Sequence, residues 1–347
     1  MDREHIKTYP LLLPLAWLYG LAVFIRNKLF DIGILPERSF PLPVISVGNI
    51  TVGGTGKTPH TEYLIRLLSG RYQVAVLSRG YKRKSRGFLL AGSRTTMQQI
   101  GDEPYQMKQK YPYIHMAVNA DRCHGIEKLM QPAVTPPADV ILLDDAYQHR
   151  YVQPDINILL IDYSRPIYKD CLLPAGKLRE QASGVSRANI IIITKCPHDI
   201  TPQERQDIAH SLRLRAYQKL FFTTLRYKSP MPAFSTAPLL VTGIASPRPL
   251  VEHLRRFYPD MQHMAFADHH QFTSEDIEEI KRRAEGRPIV TTEKDSARLS
   301  ALPHTVIPIE IEFLNGEAEQ FNKIIKEYVH ENSRNGSLHK GKNANKS

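Results

Sequence analysis

Residues 48–59 read GNITVGGTGKTP, and their types and spacing suit a loop that wraps phosphate. Gly53, Gly54, Thr55 and Gly56 would turn backbone N–H groups toward phosphate oxygens, with little side-chain bulk to obstruct the approach. Lys57 would reach the β- and γ-phosphates of a nucleotide, and Thr58 would offer its hydroxyl to Mg²⁺. The stretch lies between a strand-like run, PVISVG at 43–48, and a helical segment. A helix N-terminus there adds a favourable field for an anion. Pro59 is tolerated, because first-turn N–H groups have no intrahelical partner. Thr51 stands where such loops usually open on glycine, but it lies outside the glycine cluster. A glycine-rich turn before an ordinary helix is the plainer alternative.

Further downstream, VILLDDAYQHR (140–150) is an apolar run ending in two acids. Asp144 or Asp145 would hold Mg²⁺, directly or through water, as a Walker-B acid does. His149 and Arg150 follow closely; either could orient substrate, or His149 could be an ordinary hydrogen-bonding residue. GDEPYQMKQ (101–109) places Asp102 and Glu103 just before a helical stretch. They read either as a cap with first-turn acids or as a general base with a Mg²⁺-associated neighbour. In FADHHQFTSEDIEEI (266–280), Thr273 and Asp276 fit a capping box, and Asp268, His269 and His270 precede the helix. No Cys or His spacing there suggests zinc. A guanine site would need an acid where IIIITKCP places Pro197, so ATP, or an unselective purine site, is favoured over GTP.

These residues need strands and helices to hold them. VAVLSRG (74–80), IHMAV (114–118), VILLDD (140–145), INILLIDY (156–163) and IIIITK (190–195) join PVISVG as buried strands, mostly separated by crossover helices. The fold class is therefore α/β: a P-loop NTPase-like parallel sheet with helices on both faces. The texture changes after residue 215. The expected organisation is an N-terminal helix (1–30), a P-loop domain (31–215), a smaller C-terminal α/β domain (216–330) and a basic disordered tail (331–347).

Apolar residues make up 42% of the 347-residue chain, an ordinary globular composition, and the net charge is +11. SRGYKRKSRGF (78–88) concentrates Arg79, Lys82, Arg83, Lys84 and Arg86. Such a run suits a solvated loop, an anionic lipid or a sugar phosphate; no aromatic-interleaved RNA-binding motif accompanies it. The three cysteines lie far apart, which fits a reducing compartment. YPLLLPLAWLYGLAVFI (9–25) carries no charge. As a helix it spans roughly 25 Å, short of the roughly 30 Å hydrocarbon core. A buried core helix and a membrane-embedded or interfacial anchor both fit it, and the flanking Arg3, Lys7, Arg26 and Lys28 suit a cytoplasmic face. No small-residue cleavage site follows, as a signal peptide would require.

GGTGKTP, SRGY, GDEP, DDAYQHR, LLPAGKLRE (172–180), DHHQF and TEKD (292–295) occur in the order seen in tetraacyldisaccharide 4'-kinases, and residues 9–330 resemble that family. The resemblance implies an ATP- and Mg²⁺-dependent enzyme that phosphorylates the 4'-hydroxyl of an acylated glucosamine disaccharide 1-phosphate in lipid A biosynthesis. It implies attachment to the cytoplasmic face of the inner membrane through the N-terminal helix. An acylated lipid and an anionic membrane are then the partners, with no nucleic acid and no obligate protein partner. Carried over by motif, Lys57 and Thr58 are the P-loop lysine and Mg²⁺ ligand, Asp102 the base, and His269 its support. Glu103, Asp144 and Asp145 are acids around Mg²⁺, and Arg79, His149 and Arg179 surround substrate and phosphates. Because Asp102 and His269 fall in different expected domains, closure would assemble the site and exclude stray water. Ala146 and Tyr147 replace a common Gly-Phe, and Gln181 a common Pro, which puts local backbone geometry in question. The rival reading from another class is a membrane-associated P-loop NTPase switch or chaperone; a nucleic-acid-binding ATPase would rest on charge alone.

Overall fold

The computed structural model describes residues 6–228, 231–244, 246–268, 270–299 and 301–333. The chain forms two compact units, Met1–Leu225 with Ile311–Ser347, and Arg226–Glu310. In chain order the first unit contains α1 (Leu13–Asp31), β1 (Val44–Gly48), α2 (Lys57–Ser69), β2 (Val74–Ser78), β3 (Leu89–Leu90), α3 (Met97–Ile100) and α4 (Asp102–Lys110). Then come β4 (His115–Val118), α5 (Arg122–Leu129), β5 (Val140–Asp144), β6 (Ile156–Asp162), β7 (Ile190–Thr194), α6 (Pro202–Leu212) and β8 (Lys219–Tyr227). The second unit holds β9 (Leu239–Thr242), α7 (Arg248–Arg255), β10 (Gln262–Ala265), α8 (Ser274–Ala284), β11 (Ile289–Thr292), α9 (Glu293–Ser296) and β12 (Thr305–Ile307). The chain returns to the first unit through β13 (Ile309–Phe313) and α10 (Ala318–Asn332).

The large sheet runs β13-β8-β7-β6-β1-β5-β2-β4-β3. Pairing from β8 to β4 is parallel, and short β3 lies antiparallel on β4. Its central strands are apolar on both faces because both are covered. Ile45 and Val47 of β1 pack with Leu64, Ile65 and Leu68 of α2. On the opposite face Val44 and Leu143 pack with Ile126 and Leu129 of α5. The β5–β6 link has no helix. In the second unit a parallel four-stranded sheet runs β10-β9-β11-β12, and Thr273 and Asp276 form the expected capping box of α8.

The expected boundary at 215/216 needs correction. β8 extends the large sheet, and Phe321, Ile325 and Val329 of α10 join Ile45 and Val47 in one core. The second unit is thus an insertion between β8 and β13, not the whole C-terminal third. Of the expected tail at 331–347, residues 331 and 332 still belong to α10, and residue 334 onward lies outside the described residues.

The N-terminal helix has two unlike faces. Its buried residues are Ala16, Gly20 and Phe30, with Gly20 so close to Leu172 that a Cβ would stand 2.6 Å from Cδ1. Leu11 is 96% and Trp17 72% exposed, and Leu15, Leu18, Leu21, Phe24 and Ile25 also face outward. A buried core helix would hide these residues, so that alternative is set aside. The helix also runs past Ile25 to Asp31. Its polar positions dock on the sheet unit: Tyr19 OH donates to Arg179 O (2.6 Å), Arg26 Nη2 to Gln148 O (3.1 Å) and Asn27 Nδ2 to Glu180 Oε2 (3.4 Å).

Candidate active site

The glycine loop leaves β1 and enters α2. Gly53 takes φ +123 and Gly56 φ +84, backbone conformations that favour glycine. A Cβ on Gly53 or Gly54 would meet nothing within 4 Å, so the loop borders open space of the kind a phosphate needs. α2 begins at Lys57 with no side-chain cap, leaving first-turn N–H groups for a ligand. Thr51 is buried in extended pairing with Leu178, and its hydroxyl accepts from Asn49 Nδ2 at 3.4 Å. Asn49 Nδ2 also donates to Thr55 Oγ1 at 2.8 Å. Threonine at the opening position therefore braces the loop from outside the cradle.

The segment 171–180 lies along the loop's first residues: Val52 N donates to Lys177 O and Arg179 N to Ile50 O, each at 2.8 Å. This sets Arg179 beside Asp145, with Nη1 3.2 Å from Oδ1. Lys57 Nζ lies 3.7 Å from the same oxygen. Asp145 itself takes a left-handed backbone (φ +50) where β5 ends, a strained position of the sort found at functional sites. The registers of β1, β5 and β2 bring three strand ends together, with Val47 beside Asp144. Asp144 is buried; Ser78 Oγ donates to its Oδ2 (3.1 Å), while Oδ1 has no partner. Burial, then the charges of Glu103 and Asp145, push the Asp144 carboxyl up to about 7.

Asp102 and Glu103 open α4, and the cap position belongs to Gly101 (φ +91), where a Cβ would stand 2.9 Å from Tyr81 O. They are therefore first-turn acids rather than caps. Arg79 is exposed at the end of β2. Thr58 is half-buried in the first turn of α2. His149 Nε2 donates to Ala120 O at 3.1 Å, and burial holds its pKa low. Arg150 braces α1 instead, donating to Asn27 O and Asp31. His269 lies outside the described residues. Its motif neighbours belong to the second unit, where Lys294 Nζ of TEKD donates to Asp268 Oδ1 at 3.0 Å. His270 Nε2 donates to Asp276 Oδ2 at 2.8 Å and so belongs to the helix cap.

Several groups escaped the sequence reading. Arg122, 1% exposed, reaches the Asp144 carbonyl at 3.4 Å, and burial pulls its pKa down to about 10. His60, also buried, lies under the glycine loop, and burial pulls its pKa down to about 4. Gln148 Nε2 donates to Asn49 O (2.7 Å) and Glu180 Oε1 (3.1 Å), tying DDAYQHR to LRE. In one sequence such residues look like solvated helix or loop positions. The two departures in local geometry are also accounted for. Tyr147 is buried against Gly48 and donates to Gly184 O at 2.6 Å. Gln181 sits at φ −60, close to the value proline fixes.

Comparison with known proteins points to the same family. The tetraacyldisaccharide 4'-kinase of Phocaeicola vulgatus is 54% identical, covering 97% of this chain and 100% of its own. That of Bacteroides thetaiotaomicron is 48% identical over 100% of both chains. LpxK from Aquifex aeolicus, solved in complex with ATP, is 30% identical with a TM-score of 0.71, covering 91% of this chain and 98% of its own. The family model described as tetraacyldisaccharide-1-P 4'-kinase matches residues 8–330, and the chain belongs to that family.

Proposed function

We propose that this kinase, a tetraacyldisaccharide 4'-kinase by family, holds ATP on the loop from Gly53 to Thr58. It transfers the γ-phosphoryl group to the 4'-hydroxyl of a tetraacylated glucosamine disaccharide 1-phosphate, forming lipid IVA. The observation that carries this reading is the open glycine cradle followed by Lys57, with Lys57 and Arg179 both beside Asp145 and Asp144 buried at the neighbouring strand position. Lys57 and Arg179 bring positive charge to the phosphates, where electrostatic stabilisation of the transferring group is largest.

Asp144, Asp145, Glu103 and Thr58 fit Mg²⁺. The partnerless Asp144 Oδ1 and the raised Asp144 pKa describe a buried acid in want of a cation. Among the described residues no three Asp, Glu, His or Cys side chains converge as a metal cage. That suits an ion shared with phosphates. When bound, Mg²⁺ supplies charge neutralisation at the phosphate oxygens. Asp102 acts as the base that takes the 4'-hydroxyl proton, with His269 supporting it; both roles rest on the family motifs. Arg79 and His149 serve substrate or phosphates. The exposed apolar face of α1, with Arg26 and Lys28 toward its C-terminal end, anchors the enzyme on the anionic cytoplasmic face of the inner membrane. The reading needs no nucleic acid and no obligate protein partner, and family membership displaces the switch or chaperone reading.

The test is transfer from ATP to purified disaccharide 1-phosphate in detergent micelles, scored as a doubly phosphorylated lipid. Lys57→Ala and Thr58→Ala should each lower turnover by roughly two to four orders of magnitude while unfolding remains cooperative. Near-normal turnover in either variant would remove the loop from the mechanism.

A further inference from the structure

A loop rich in glycine gains a close approach to phosphate at the cost of definition, because its peptides rotate freely. His60, in the first turn of α2 and 3% exposed, supplies a constraint. Its Nδ1 lies 2.7 Å from Gly56 O and its Nε2 3.1 Å from Thr223 Oγ1 on β8. A carbonyl only accepts, so Nδ1 carries the proton and Nε2 accepts from the threonine hydroxyl. The His60 backbone N–H also points to Gly56 O, at 3.3 Å. One residue therefore holds this carbonyl with two donors. The Gly56–Lys57 peptide is trans, and across a trans peptide C=O and N–H point in opposite directions. Holding Gly56 O down into the helix holds the Lys57 N–H up, out of the helix end and into the cradle.

We propose that His60 is a positioning residue for the phosphate cradle, fixing the Gly56–Lys57 peptide and tethering it through Thr223 to β8. The proposal rests on the phosphate-loop reading above and adds a residue to it. Gly56 in its left-handed conformation has no side chain to prevent the peptide from flipping, and a flip would turn a carbonyl oxygen toward the phosphate.

The experiment measures Mg²⁺-ADP affinity, the KM for ATP and for lipid, and the ligand-free thermal midpoint in the full chain. His60→Leu should weaken ADP binding about tenfold and raise the ATP KM, with the lipid KM unchanged. His60→Asn, whose amide nitrogen stands in for Nδ1, should recover affinity to within about threefold of wild type. Thr223→Val, which cuts the tether without touching α2, should fall between the two. Wild-type nucleotide affinity in His60→Leu and Thr223→Val, whatever their thermal midpoints, would leave His60 as packing alone and overturn the proposal. Equal losses in His60→Leu and His60→Asn would overturn it too. A wild-type chain that binds no nucleotide would instead sink the phosphate-loop reading itself, a result the variants cannot mimic.

Discussion

Burial and neighbouring acids make the ionised Asp144 carboxylate costly, and Lys57 offsets only part of that cost. Asp144 Oδ1 has no partner, and Glu103 and Asp145 add like charge. Sites of this kind trade stability for function. Asp144→Asn should therefore raise the thermal midpoint of Mg²⁺-free protein by a few degrees, because the amide carries no charge into the cluster. The same variant should lose Mg²⁺-dependent stabilisation and roughly 100-fold or more in turnover. Calorimetry with and without Mg²⁺ checks the first part; a lowered midpoint in the metal-free variant would contradict it. At this scale the patterned residues were legible. Lys57 and Thr58 follow spaced glycines, and Asp144 and Asp145 end an apolar run. Arg122, His60 and Ser78 were not, because their roles come from strand register and burial. Ser78 donates to Asp144 since β2 and β5 lie side by side, a pairing no local spacing encodes.

The N-terminal helix links two tasks that a hydropathy reading keeps apart. Its uncharged stretch was visible in the sequence, but its inward contacts were not. Arg26 and Lys28 read as flanks, while Arg26, with the neighbouring Asn27, in fact docks on Gln148 and Glu180. Tyr19 OH holds the carbonyl of Arg179, whose side chain reaches Asp145. Deleting residues 1–25 should then remove both the exposed apolar face and this brace. The truncated protein should be soluble or aggregated, with impaired activity even on micellar substrate. Tyr19→Phe separates the two effects. It keeps the apolar face and loses one hydrogen bond worth about 0.5–1.5 kcal/mol. Vesicle binding should match wild type while turnover falls by a small factor, about two- to tenfold. Vesicle flotation and micellar kinetics on the same preparation give the answer. Unchanged turnover would confine the helix to anchoring.

Across the whole molecule, the second unit interrupts the first in sequence, and this the sequence reading could not order. VIPIEIEF (306–313) looks like one continuous strand-like stretch, yet β12 joins the small sheet and β13 the large one. Strand character is a local property, whereas sheet membership is decided by distant partners such as the α10 core residues. The proposed base and its support fall on opposite sides of this division: Asp102 in the first unit's α4, His269 within the inserted residues 226–310. If the two residues work as one catalytic unit, as the family motifs imply, their losses should not multiply. Asp102→Asn removes a base, so kcat should fall sharply while the KM for ATP changes little, since the glycine loop is untouched. His269→Ala should also lower kcat. The double variant should be little worse than the more impaired of the two single ones, because groups that act together fail together. Steady-state kinetics of the four proteins on micellar substrate decide the matter. Multiplicative losses would give His269 a separate task, with substrate binding the first to examine through the lipid KM.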